Sequence, residues 1–72
     1  MSTPRTMTKA EARAWLKRSR EGLRWAEEAL RSGNASDLRE ALIEVTGAAS
    51  AVQDAIEGYT SDYAGIRGMS WL

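Results

Sequence analysis

The sequence predicts an all-α protein: an antiparallel hairpin of two long helices, a short C-terminal helical turn or ordered tail, and a homodimer that completes a helical bundle. Three observations predict it. Apolar residues recur at spacings of three and four over residues 9–31 and again over residues 37–57. Capping residues bracket both runs, and the turn between them is short. The first run also carries more apolar surface than docking on one core requires.

Residues 1–7 hold the one proline, Pro4, and show no periodicity, so they read as a flexible lead-in. Thr8-Lys9-Ala10-Glu11 then has the form of a capping box: Thr8 can accept from the amide three residues on, and Glu11 can reach back. The first helix runs from about Lys9 to Arg31. Its expected core stripe is Ala12, Leu16, Ser19, Leu23, Ala26 and Leu30. Lys17–Glu21 and Glu27–Arg31 are favourable i,i+4 pairs. Gly33 suits the position just past a helix end.

Gly33-Asn34-Ala35-Ser36-Asp37 is the turn, with Ser36 or Asp37 as the expected cap of the second helix. That helix runs from about Asp37 to Glu57 and stops at Gly58. Its expected apolar stripe is Leu38, Ala41, Leu42, Val45, Ala48, Ala49, Val52, Ala55, Ile56 and Tyr59. So short a connection makes the helices antiparallel neighbours, and residues 8–58 form one hairpin. Residues 59–72 differ in composition, with Gly65 and Gly68 among Tyr63, Ile66, Met69, Trp71 and Leu72. Ser61 can cap one short helical turn there.

Composition excludes several function classes. With no Cys and no His among 72 residues, the chain lacks a thiolate, the usual general base and the commonest metal ligand. The acids do not converge as a metal site requires, and no Gly-rich phosphate loop is present. The expectation is a non-enzyme with no cofactor and no metal. No apolar run approaches the length of a membrane span, and no signal segment opens the chain, so the expected location is the cytoplasm, with no membrane partner. Net charge is zero but divided. Residues 1–32 hold eight Lys and Arg against four Glu, and residues 33–72 hold two Arg against six acids.

The surplus faces of the first helix carry the functional reading. One flank holds Trp15, Arg18, Gly22 and Trp25. A glycine inside a helix costs up to about 1 kcal/mol, which makes sense where another backbone or ring comes close. Trp25 lies about 130° from the centre of the expected core stripe, so either a partner or the C-terminal tail covers it. Ile43 is a lone apolar residue on the outside of the second helix, and Trp71 is a large apolar group in the tail. Trp15, Arg18, Gly22, Trp25, Ile43 and Trp71 are therefore the candidate protein-binding residues. The other flank holds Arg13, Lys17, Arg20 and Arg24, like charges at unfavourable spacing, and these are the candidate contacts to an anion or an acidic partner. Matching flanks across the hairpin sets Glu40 and Glu44 on the Trp15 side and leaves the basic stripe open.

The run Trp15-Leu16-Lys17-Arg18-Ser19-Arg20-Glu21-Gly22-Leu23, with Ala26, Ala29-Leu30 and Ser32-Gly33, resembles the opening helix of HEPN-type helical domains over about a third of the chain. Ribonucleases of that family use an Arg…His motif that this chain lacks, so the resemblance implies helical-hairpin packing alone.

The expected function is a small regulator, inhibitor or adaptor that binds another protein through helix faces. Two alternatives stand beside it. One is a binder of nucleic acid or a nucleotide through the basic stripe. The other is a helical leader whose tail is modified by an enzyme.

Overall fold

The two helices begin and end where local chemistry places them. In the computed structural model, which describes residues 5–58 and 62–69, α1 spans Lys9–Ser32 and α2 spans Ala35–Glu57. Thr8 caps α1 with the full capping box: its hydroxyl accepts from the Glu11 amide at 3.0 Å, and the Thr8 amide donates to Glu11 Oε1 at 3.3 Å. Gly33 and Gly58 close the two helices in the left-handed conformation. The second cap differs from the expectation. Asn34, not Ser36 or Asp37, caps α2, accepting from the Asp37 amide at 3.0 Å. Asn34 follows the left-handed Gly33 directly, so α2 starts two residues early and the turn is tighter than the sequence suggests.

The helices pack side by side through a seam of small residues. Ala12, Gly22, Ala26 and Ala29 of α1 are buried, as are Ala41, Ala48 and Ala55 of α2. The expected stripes of both helices are corrected here. Leu16, Leu23 and Leu30 stand outside, at 51%, 47% and 69% exposure, and Leu42, at 46%, and Ala49 of α2 are exposed as well. Tyr59 lies outside the described residues. The seam has the expected period but is rotated by about 50° on the helix wheel. Small side chains let the backbones approach more closely than leucine would, and the packing follows that closeness. A Cβ added at Gly22 would lie 2.7 Å from Val45 Cγ2. Ser19 faces the same seam, and its buried hydroxyl has no hydrogen-bond partner among the described residues.

At the open end of the hairpin a strand pair replaces two other expectations. Arg5–Met7, read as lead-in, forms β1, and Tyr63–Ile66, within the segment read as a possible helical turn, forms β2. The two strands pair in parallel, Arg5 beside Tyr63 and Met7 beside Ile66. Arg5 N–H donates to the Asp62 carbonyl at 3.2 Å, and Arg67 N–H to the Met7 carbonyl at 2.7 Å. Between its two paired positions β2 holds one residue more than β1, and Gly65, at φ 115°, lies in that bulge. Met7 is fully buried, and it clusters with Ile66, Ala12 and Ala55 under Trp15, Val52, Ile56 and Tyr63. Strands this short leave no periodic trace, and Met7 packs against Ala55 and Ile66, both far along the chain.

Candidate functional site

The seam divides the hairpin into two outer faces. With Ala12, Trp15, Ser19, Gly22, Ala26 and Ala29 as the inward positions of α1, Arg18 and Trp25 fall on one flank. Leu16, Leu23 and Leu30 fall on the other. On α2 the corresponding flanks are Asp37, Glu44 and Ala51 on one side and Leu42, Ala49 and Ile56 on the other. Antiparallel packing joins like flanks, and the side chains bear this out. Arg18 Nε donates to Glu44 Oε1 at 2.6 Å, and its guanidinium sits 5.6 Å from the centre of the Trp15 ring.

The first face therefore carries Trp15, half-buried, with Arg18 and Glu44 paired in front of it. Ile43, 63% exposed, lies beside them with Gly47 around a shallow hollow. Trp25 is 38% exposed further along the same flank. The structure thus brings together Trp15, Arg18 and Ile43 of the predicted protein-binding set. Gly22 belongs to the seam, where it touches Val45, and its closeness to another backbone lies inside the chain. Trp71 lies outside the described residues. The described part of the tail packs with Met7 and Ala55, at the opposite end of α1 from Trp25.

The second face carries the half-exposed leucines and the basic stripe. Arg13, Lys17, Arg20 and Arg24 are exposed, and none forms an ion pair with a described residue. The pairs expected within the helix, Lys17–Glu21 and Glu27–Arg31, do not close, so these cations are open to whatever approaches. The exposed leucines are the feature that the sequence reading placed in the core. The signal that could have found them is the seven-residue repeat Ala41, Ala48, Ala55, since three alanines in one phase mark close packing of backbones.

A polar clasp closes the strand end. The Tyr63 hydroxyl donates to Glu11 Oε2 at 2.6 Å, and Arg5 Nη2 donates to the same oxygen at 3.2 Å and to the Tyr63 hydroxyl at 3.1 Å. Arg5 also lies 5.1 Å from the centre of the Tyr63 ring. The hydrogen bond from Tyr63, then the Thr8 amide, holds the Glu11 carboxyl below its ordinary range. The bond to Glu11 holds the Tyr63 phenol above its own. Each group here is held by the other two, which marks the cluster as a fastening between strand and helix.

Fold and faces together define the class: a two-helix hairpin with a small-residue seam, fastened at its open end by a parallel strand pair. No family model, no curated protein and no solved structure matches this chain. Among the described residues no helix is long and apolar enough to cross a membrane, and no three of His, Cys, Asp and Glu gather where they could hold a metal ion.

Proposed function

We propose that this chain is a small non-enzymatic adaptor or regulator that binds another protein through the outer faces of its hairpin. One observation carries the reading: small side chains build most of the seam while Leu16, Leu23, Leu30 and Leu42 stand outside it. Leu16, Leu23, Leu30 and Leu42 each keep about half or more of their surface in water. Covering such a side chain returns about 1 kcal/mol of hydrophobic free energy. Four of them, with Trp25 and Ile43 on the other face, fit a module whose burial is completed by a partner.

The test is affinity capture from the source cell with the whole chain as bait, beside a chain carrying Leu16→Ser and Leu23→Ser and another carrying Trp25→Ala. A protein retained by the unaltered chain and lost from either variant, with helicity by circular dichroism unchanged, supports the reading. Equal recovery by all three baits defeats it. The unpaired cations favour a second reading, an anionic ligand such as nucleic acid or a nucleotide. Binding that disappears with added salt and with Arg20→Glu, but not with the leucine changes, would establish that one instead.

A further inference from the structure

The leucine face also carries the chemistry of what covers it, and this inference rests on the protein-binding reading above. Leu16, Leu23 and Leu30 form one row on α1; Leu42 and Ala49 form a shorter row on α2. The rows flank the seam on the side away from the Arg18–Glu44 pair. Two parallel rows beside a seam of small residues make an apolar strip along the hairpin, hollowed into a groove between Leu30 and Leu38 near the Gly33 turn. The α1 row is about 21 Å long, four turns of helix.

The border of this groove is predominantly basic. Six positions adjoin the rows: Arg13, Arg20 and Glu27 on α1, and Arg39, Thr46 and Gln53 on α2. All six are exposed, and the three arginines form no ion pair with a described residue. Lys17 and Arg24 stand in the next row out, also unpaired and exposed. Glu27 is the one acid on the border.

Three occupants fit this border poorly. A second copy docked by the same face would set arginine rims against arginine rims, with Glu27 alone to offset them. A nucleic acid would satisfy the cations and leave the leucines in water. A lipid surface would favour aromatic side chains at the edge, and the described border has none, because Trp15 and Trp25 lie on the opposite flank.

We propose that this groove receives an amphipathic helix of another protein, apolar on the stripe it buries and acidic along both flanks of that stripe, completing a three-helix bundle.

The experiment uses the whole chain and a fluorescent synthetic peptide of about five helical turns, with leucine and alanine on one stripe and glutamate on both flanks. Its control has lysine in place of every glutamate. Anisotropy titration should show saturable binding of the glutamate peptide, at least tenfold tighter than the lysine peptide, with the gap narrowing as salt is added. Arg20→Glu with Arg39→Glu should reverse the preference, and Leu16→Ser with Leu23→Ser should abolish binding, both with helicity retained. Equal affinity for the two peptides, or binding of neither, overturns the proposal. So does self-association in sedimentation that the leucine changes remove, or adsorption to phosphatidylglycerol vesicles that they remove. If cellular capture survives the leucine changes while the peptide fails to bind, the groove assignment falls and the broader reading stands.

Discussion

The two ends of the hairpin are held together by different means. At the strand end Met7 is fully enclosed, Ile66, Ala12 and Ala55 pack around it, and Arg5, Glu11 and Tyr63 fasten the outside. Toward the Gly33 turn the same two helices meet through Gly22, Ala26, Ala29 and Ala41, and Leu23, Leu30 and Leu42 stand in water. One end uses its large side chains on itself. The other holds by close approach of backbones and leaves its large side chains available. Large side chains are thus enclosed at one end and exposed at the other, in a chain too small to fill two cores.

The largest expected effect breaks the strand end. Met7→Ala removes the one large, fully buried side chain among the described residues, and losses of this kind cost about 2–5 kcal/mol. Urea denaturation should show the loss; a change below about 0.5 kcal/mol would mean that the strands contribute little.

The next tests the seam. Gly22→Ala gains up to about 1 kcal/mol of helix propensity. Against that, the new methyl meets Val45 Cγ2 at 2.7 Å, and a β-branched neighbour cannot swing aside. Overpacking of this kind costs about 1–3 kcal/mol, so the expected net loss is about 1 kcal/mol. Gly22→Ala with Val45→Ala should recover part of it in a double-mutant cycle. A stabilised Gly22→Ala chain would show that the seam is looser than described.

A smaller effect tests the clasp. Tyr63→Phe removes the donor to Glu11 and the acceptor from Arg5, and should lower stability by less than Gly22→Ala does. Its signature is the pH profile. The Glu11 carboxyl is held low, so its contribution is present above the unfolded value near 4.3 and is lost as pH falls through the folded one. The Tyr63 phenol is held high, so its contribution is present below about 10 and is lost as pH rises through the folded value. In Tyr63→Phe both limbs should flatten; unchanged limbs in thermal melts from pH 3 to pH 11 would dissociate the clasp from stability.

The smallest effect lies on the leucine face. Leu16→Ser and Leu23→Ser should each change stability by no more than about 0.5 kcal/mol, as surface substitutions do. A loss comparable with that of Met7→Ala would return these leucines to the chain's own core.

What the sequence made legible was whatever depends on neighbours along the chain. The Thr8–Glu11 box and the glycine ends of both helices are local devices, and they stand where their residues predict. The placement of Glu44 on the Trp15 side followed from antiparallel geometry alone. The phase of the α1 stripe was misread because hydrophobicity was weighed without size. Leu16 and Leu23 outrank Gly22 and Ala26 as apolar groups, yet the smaller pair allows the closer approach that sets the packing. The strands were illegible because three or four residues carry no period, and Met7 gains its burial from a partner at Ile66.

The pairing of Arg5 with Tyr63 also bears on how the helices are aligned lengthwise. The Ala41, Ala48 and Ala55 repeat taken alone is nearly the same after a slide of one repeat; Gly22 against Val45 and the short Gly33-Asn34 turn distinguish the alignments at the other end. Such a slide displaces one helix by about 10 Å along the other, roughly twice the spacing between paired strands. The strands can join only when the alanines are correctly offset. The strand pair at the open end thereby serves as a second gauge of sliding position, at the far end from the one that the Gly33 turn sets.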